Sequence, residues 1–532
     1  MHKSLIILLL VALLPGQLCT QPLNLKYDHA DWINIEQYLY TPGSMFHTSV
    51  RPYSIPEINQ VVSYDSAIND YVIPRFRNGK VTQRIFNNHL LTVEENDFRM
   101  TINPLFDFST GYERQEDKQT WTNTRGILVE GTVGEDFAFS TRFYENQSVF
   151  PGHIQDYIGK RRVVPGQGMV RGLNGAMDYA SAAGYLSYTP GEYFNFQLGH
   201  GNQFLGDGYR SLLLSDHAIY YPYFKINSTI WRFKYVNLWT QFNHPDAGVK
   251  HGFNAFPHKY GAFQYLSFLA GKRWNISIFE SVIWQAQDSI GYRGFDLNYL
   301  NPIVLFLPIE NTTSSADNYT VGANISFNAH QQMTLYTQFL LDEFRFREMV
   351  AGNGWFGNKY GFQAGIKLFE PLNIKNLYIQ AEYNLVRPYS YSHYLQVQSY
   401  THFNEPLAYS FGANTKELIF RGNYHYKRFY LHIKFNHALF GLDQNNLNYG
   451  KNIFLNSKEY MNEYGNYIGQ GLETTMEQLD GSVSYLVNPV TNMNLFAGFT
   501  YRTETNIEFD NTYFWINFGF RTSLRNLYYD FY

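Results

Sequence analysis

The stretch Tyr430–His437, "YLHIKFNH", alternates between apolar and polar side chains. The apolar positions are Leu431, Ile433 and Phe435, and the positions between them hold His432, Lys434 and Asn436. A period of two residues predicts a β-strand with one apolar and one polar face. The same alternation recurs along the chain at residues 192–199, 319–327, 359–369, 377–385 and 513–524.

Two architectures fit such strands. In a soluble sandwich the apolar faces meet in a core, whereas in an outer-membrane barrel they meet lipid and the polar faces line the interior. Three features favour the barrel. The polar faces carry mostly Gly, Asn, Gln, Ser and Thr, the segments have the length of a membrane-crossing strand, and Tyr and Trp gather at strand ends as in interfacial girdles.

Composition supports the barrel. Charged residues make up only 16% of the chain and aromatic residues 18%, whereas soluble domains average about 25% charged residues. After the N-terminal segment there is no apolar run long enough for a transmembrane helix. The net charge of −4 gives no overall basic field, so nucleic acid is not expected as a partner.

The chain divides into three parts. Residues 1–20, with Lys3, an apolar run and then Pro15-Gly16, have the pattern of a secretory signal peptide, and the single cysteine, Cys19, lies within it. Residues 21–96 have helical spacing at Trp32, Ile35 and Leu39, which predicts a small helical element that plugs the periplasmic mouth or forms a simple periplasmic tail. Residues 97–532 are expected to form an all-β barrel of about 16–18 antiparallel strands in the outer membrane. Its last residues, Phe531-Tyr532, closely follow a strong strand, as in barrels whose final strand is recognised by insertion machinery.

The glycine-rich stretch "GHGNQFLGDGYRSLLLSDH", residues 199–217, does not contain a known catalytic motif. It lacks the Lys-Ser/Thr of a phosphate-binding loop and the G-x-S-x-G elbow of a hydrolase. We therefore predict no catalytic residue, and expect Asp207, Arg210 and Asp216 to form a buried ion and hydrogen-bond network in a narrow interior. The sixteen histidines are scattered without ligand spacing, so we expect neither a metal nor another cofactor.

Two charged stretches lie between predicted strands. Lys160, Arg161, Arg162 and Arg171 form a basic patch in a long loop, suited to solvation or lipopolysaccharide contact, with an acidic polysaccharide as the alternative. Residues 340–348, "LLDEFRFRE", place acidic and basic side chains in a ladder near a rim, where such ladders usually brace loops.

Five blocks together resemble a known family. They are "QFLGDGYRSLLLSD", "LNPIVLFLPIENTTSSADN", "GWFGNKYGFQAGIK", "AEYNLVRPYSYSH" and "NEPLAYSFGANTKE", all between residues 203 and 417. As a set they look like the RemB-like gliding-motility outer-membrane proteins of Bacteroidota, which are grouped with the Wzi-type capsule-assembly family. The resemblance implies a non-enzymatic barrel that binds or anchors surface polysaccharide and supports capsule assembly or gliding motility. It marks as candidate ligand-binding residues Asp207, Tyr209, Arg210, Asp216, Arg387 and Tyr389, which could equally be packing residues.

Two other functions stay open at this point. One is an accessory subunit of a larger outer-membrane secretion or assembly complex, which would add other outer-membrane proteins to lipid and lipopolysaccharide as partners. The other is a pore for small solutes, which requires an open interior.

Overall fold

The computed structural model describes residues 23–25, 29–64, 67, 79–172, 175–245, 256–287, 291–302, 317–522 and 526–532. The predicted signal peptide and Cys19 lie outside these residues, as do residues 303–316 of the second family-like block.

Within the described residues, 18 antiparallel strands form one closed barrel. The strands are β1 (Phe98–Glu113), β2 (Lys118–Val133), β3 (Phe137–Val149), β4 (Met177–Tyr188), β5 (Phe194–Gly201), β6 (Tyr221–Ile230), β7 (Phe233–Asn243), β8 (His258–Ala270), β9 (Trp274–Gln285), β10 (Asn318–His330), β11 (Met333–Glu343), β12 (Lys359–Phe369), β13 (Leu377–Val386), β14 (Thr415–Tyr426), β15 (Phe429–Leu442), β16 (Leu472–Asn488), β17 (Met493–Thr505) and β18 (Asp510–Arg521). Each strand pairs with its neighbours in sequence, and β18 pairs with β1 from Trp515↔Glu113 to Arg521↔Asp107. The predicted fold class and strand number are confirmed.

The alternation predicted from the sequence sets the two faces of the wall. Leu431 and Ile433 on β15 are each 49% exposed on the outside, whereas Lys434 and Asn436 point inward and are buried. A closed barrel pairs every strand edge, so its outer wall presents side chains and no free backbone groups.

The two ends of the barrel differ. Connections at one end are short, such as residues 134–136 and 231–232. The opposite end carries longer connections, at residues 150–176, 202–220, 244–257, 286–317, 344–358, 387–414 and 443–471. In outer-membrane barrels the long loops are extracellular and the short turns periplasmic. β1 begins and β18 ends at the short-turn end, in agreement with that orientation.

Some of these connections contain further elements. They comprise two helices, α4 (Gly152–Arg161) and α5 (Phe346–Val350), 3-10 turns at Leu297–Leu300, Pro371–Asn373 and Gln396–Gln398, and the small hairpins Val163–Val164 with Gly168–Met169 and Thr401–His402 with Glu405–Pro406. No helix among the described residues is long and apolar enough to cross a membrane. Residues 254–264 resemble a loop in sequence, but 258–264 belong to β8, whose inward positions include the apolar Phe263 and so mask the alternation.

The segment before the barrel contains helices. Residues 32–58 lie mostly in the interior at the short-turn end, whereas residues 80–86 include no buried side chain. The helices are α1 (His29–Leu39), α2 (Ile55–Asn59) and α3 (Lys80–Phe86), and the strand Leu91–Glu95 then pairs with the start of β1. Trp32, Ile35 and Leu39 are buried in a small core that also contains Tyr53 and Ile58. Ion pairs join this segment to the inner wall, from Glu36 to Lys367 at 2.8 Å and from Glu57 to Lys234 at 2.6 Å.

Two features of the interior differ from expectation. Its middle is apolar, because Leu212, Leu213 and Leu214, all 0% exposed, pack in one large core with wall and loop side chains such as Phe263 and Tyr409. In addition, Phe531 and Tyr532 do not end the last strand. Residues 526–532 follow β18 back into the interior, where Phe531 is 1% exposed against Tyr157 and His217.

Candidate functional site

The loop between β5 and β6, residues 202–220, folds into the barrel and is buried throughout its length. Its Phe204–Leu205 strand pairs with Val50–Arg51 of the N-terminal segment, so the two segments form one interior body. Gly208 lets this loop approach the wall, since an added Cβ would lie 2.6 Å from the side-chain oxygens of Gln363 and Glu382. The glycines of the "GDG" stretch therefore serve packing of this loop against the wall.

Asp207 joins the loop to both the wall and the N-terminal segment. Its carboxylate accepts hydrogen bonds from Tyr40 Oη at 2.7 Å, Thr48 Oγ1 at 2.6 Å and Asn324 Nδ2 at 2.7 Å. Two donors from the N-terminal segment and one from the wall satisfy the buried carboxyl group, whose burial without partners would carry a large desolvation cost. Asp207 therefore connects the loop at residues 202–220 to both the N-terminal segment and the barrel wall.

Tyr209 and Arg210 lie at the centre of a second cluster. Arg210 is 3% exposed and contacts Glu417 on β14 at 2.8 Å and Asp530 at 3.2 Å. Tyr209 Oη donates to Asp530 Oδ2 at 2.8 Å, and Lys434 Nζ on β15 contacts the same oxygen at 2.8 Å. Burial alone would raise the pKa of Asp530, but the charges of Arg210 and Lys434 outweigh it and hold that pKa well below its usual value.

Asp216 lies near this cluster and binds the same chain segment. Its carboxylate accepts hydrogen bonds from Tyr528 Oη at 2.8 Å and Asn526 Nδ2 at 3.1 Å. Burial raises the pKa of Asp216, and these two hydrogen bonds limit the rise. The adjacent His217 is neutral, because burial and the charge of Arg210 lower its pKa to about 3.

Four of the six candidate residues are therefore close together, and their polar atoms bind protein groups. The ion and hydrogen-bond network expected for Asp207, Arg210 and Asp216 is present, but in two linked clusters. Sequence reasoning missed the partners Glu417, Lys434 and Asp530. Glu417 and Lys434 stand on the polar faces of alternating strands, which is a signal of interior position, but nothing in the sequence places Asp530 inside the barrel. A ligand role for the four residues stays a prediction.

The other two candidates, Arg387 and Tyr389, lie in the loop between β13 and β14 and stabilise neighbouring loops. Arg387 donates to the backbone carbonyls of Asn358 at 3.1 Å, Asn466 at 3.3 Å and Trp355 at 3.4 Å. Tyr389 Oη donates to the carbonyl of Asn448 at 2.9 Å. Both residues thus act as positioning residues for residues 344–358 and 443–471.

These two loops present exposed aromatic side chains at the long-loop end. Phe346 on α5, Tyr464 and Tyr467 are 69%, 48% and 61% exposed, and we call these three residues the aromatic loop surface. Backbone hydrogen bonds of 2.8–2.9 Å connect the loops, from Gly465 to Asn353 and from Phe356 to Glu463. The ladder residues Arg345, Arg347 and Glu348 lie near the Tyr464 ring.

Two residues of the basic patch, Lys160 and Arg161, contact aromatic rings, whereas Arg162 and Arg171 are exposed. α4 buries Ile154, Tyr157 and Ile158, while Lys160 lies over the ring of Tyr532 at 5.1 Å and Arg161 over that of Phe454 at 4.3 Å. Among the described residues no group of three or more His, Cys, Asp or Glu side chains could hold a metal ion.

Comparisons with known proteins add a fold likeness. No family model and no curated protein sequence matches the chain. The structure is similar to that of Wzi of Escherichia coli, described as an outer-membrane protein involved in group 1 capsule assembly and as a carbohydrate-binding β-barrel. The identity is 13%, the match covers 94% of this chain and 100% of that chain, and the TM-score is 0.55.

Two further barrels are more distant. OprD of Pseudomonas aeruginosa is 10% identical over 80% of this chain and 96% of its own, with a TM-score of 0.42. OccAB2 of Acinetobacter baumannii is 11% identical over 79% of this chain and 97% of its own, also with a TM-score of 0.42. The closed strand order and the likeness to Wzi show that the fold of this chain is that of an outer-membrane β-barrel.

Proposed function

We propose that this protein is a non-enzymatic outer-membrane barrel that binds or anchors surface polysaccharide at its long-loop end and so supports capsule assembly. The observation that carries the proposal is an interior filled by the chain's own segments beneath an exposed aromatic loop surface. The fold likeness to Wzi agrees with this function. Gliding motility remains a prediction from the sequence resemblance alone.

The packing of the interior argues against a solute pore. Leu212–Leu214 pack against the wall at mid-height, and residues 526–532 run beside them with Asp530 paired to Arg210 and Lys434. A solute path would require these contacts to break, which would leave buried charges unpaired. A structural or binding role therefore fits the interior better than conduction does.

The aromatic loop surface has the chemistry of a saccharide platform. An aromatic ring offers a flat apolar face to sugar C–H groups, while a tyrosine hydroxyl and nearby charged side chains can bind sugar hydroxyls. Exposed apolar groups surrounded by polar residues commonly mark interaction sites. Because Arg387 and Tyr389 fix the loops from below, the rings are held in place before a ligand binds, which reduces the entropic cost of binding.

Binding of purified surface polysaccharide to the detergent-solubilised protein tests the proposal. We expect Tyr464→Ala combined with Tyr467→Ala to weaken binding at least about tenfold, the equivalent of about 1.4 kcal/mol. Tyr426→Ala is the matched control, because Tyr426 is 56% exposed at the opposite end of the barrel. No binding by the wild-type protein, or equal binding by the double variant, would contradict the proposal. Capture of one stoichiometric outer-membrane protein instead would favour an accessory subunit.

A further inference from the structure

A separate cavity of about 270 Å³ lies inside the barrel near the short-turn end. It is bounded by α1 on one side and by the inner faces of β14–β18 and β1 on the other. Residues of two short turns, Asn376 and Asn492, are at its edge. The cavity therefore lies at the end opposite to the aromatic loop surface.

The wall of this cavity holds a buried cation with a spare donor. Arg421 is 5% exposed, lies over the Tyr209 ring at 4.4 Å and donates through Nη1 to Gln380 Oε1 at 3.1 Å. Among the described residues, its Nε and the Asn423 Nδ2 beside it are buried without a hydrogen-bond partner. Lys434, in contrast, is already paired with Asp480 at 3.2 Å and Asp530 at 2.8 Å.

The same wall holds spare acceptors. In the part of the chain that the structure describes, Asp107 Oδ1 and Asn494 Oδ1 are buried without a hydrogen-bond partner, and both residues line the cavity. Rotation of an Asn side-chain amide exchanges its donor nitrogen and its acceptor oxygen, whereas a guanidinium only donates hydrogen bonds and an ionised carboxylate only accepts them. Arg421 therefore provides the cavity with a hydrogen-bond donor and Asp107 with an acceptor, whichever way the Asn amides point.

This combination limits the chemistry of a ligand. A phosphate would be attracted by Arg421 and by Arg521, which also lines the cavity, but would be repelled by Asp107. A simple cation would be repelled by both guanidinium groups. A sugar unit suits both kinds of group, since each of its hydroxyls donates and accepts, and the rings of Tyr209 and Tyr430 supply apolar surface. Buried polar groups left unpaired are costly, so a ligand that pairs them gains affinity.

We propose that this cavity binds one or two sugar units of the surface polysaccharide from the short-turn side. The inference deepens the proposed function, on which it rests, by adding a second saccharide site at the periplasmic end of the barrel. A chain bound there would be held before or during transfer to the cell surface.

The test uses the full chain in detergent and, as probe, mono- and disaccharides from partial acid hydrolysis of the surface polysaccharide, with inorganic phosphate as a comparison. We expect calorimetry to detect saccharide binding and no phosphate binding. Arg421→Met should weaken saccharide binding at least about tenfold. Ser484→Phe, at an inward position lining the cavity, should abolish it by filling the space without removing a charge.

The outcomes separate the two proposals. Tyr464→Ala with Tyr467→Ala should leave binding of the small fragments unchanged while it weakens binding of the whole polysaccharide. The cavity site would be overturned if the wild-type protein bound the polysaccharide but not the fragments. It would also be overturned if Ser484→Phe bound the fragments as well as the wild-type protein does. Either result would leave the proposed function intact. Tight phosphate binding would overturn the saccharide assignment.

Discussion

Removal of the Arg210 guanidinium should release the loop at residues 202–220 from the barrel wall while all 18 strands stay paired. In the variant Arg210→Met, Glu417 loses contacts at 2.8 and 3.3 Å, and Asp530 loses one from its side chain at 3.2 Å and one from its backbone carbonyl at 2.6 Å. Both carboxylates are 0% exposed. Deleting one partner of a buried ion pair costs about 3–5 kcal/mol because the other charge stays buried.

That cost can be measured by hydrogen exchange. Each 1.4 kcal/mol is about a tenfold change in an equilibrium, so opening of residues 202–220 should become about 10²–10⁴ times more frequent. Mass spectrometry of peptides from this loop and from residues 526–532 would show the faster exchange, while peptides from β7 to β9 should keep their protection. Adding Asp530→Asn to Arg210→Met should cost less than the sum of the single changes, because one unpaired charge is removed.

The matched control is Arg99→Met. Arg99 contacts Glu94 at 3.1 Å, but both side chains are more than half exposed, so its loss should cost about 1 kcal/mol or less. Exchange in Arg210→Met within tenfold of the wild-type rate, or strictly additive effects in the double variant, would refute the view that this cluster holds the loop in place.

Two further predictions concern stability and the outer loops. His402 accepts a hydrogen bond from Asn243 N–H through Nδ1, and burial lowers the pKa of both His402 and His217 from 6.5 to about 3. Because the folded pKa is below the unfolded one, their stabilisation is complete above about pH 6.5 and is lost as the pH falls towards 3, at about 2 kcal/mol for each residue by pH 5. Unfolding in detergent at pH 7 and pH 5 checks this, and an unchanged pH dependence in His402→Gln would contradict it. Arg387→Lys should increase proteolysis within residues 443–471 several-fold without affecting the barrel, because an ammonium cannot reach three separate carbonyl groups; an unchanged cleavage pattern would show that Arg387 does not position these loops.

The sequence predicted the wall of this protein better than its interior. Alternation in stretches such as Tyr430–His437 specifies a face for every residue, because a strand has a fixed period of two. Together with few charged residues it identified a barrel and nearly its size. β8 was harder to recognise, because inward Phe263 and Tyr265 contact the apolar interior core and so interrupt the pattern.

The interior could not be predicted because it depends on contacts between distant residues. Arg210 binds Glu417 and Asp530, which are 207 and 320 residues away in the sequence. Loop 202–220 has no periodic pattern that marks it as buried, and its leucines could equally have faced a partner. Phe531-Tyr532 has the composition of a lipid-facing strand end, yet it packs inside because Asp530 pairs with Arg210 and Lys434.

The conductance of the purified protein in planar lipid bilayers tests most directly whether its own chain segments fill and block the barrel interior. We expect no steady channels from the wild-type protein, because residues 202–220 and 526–532 occupy the interior, and discrete openings when Arg210→Met loosens both segments. Steady open channels from the wild-type protein would contradict a closed, polysaccharide-binding barrel and would favour a small-solute pore.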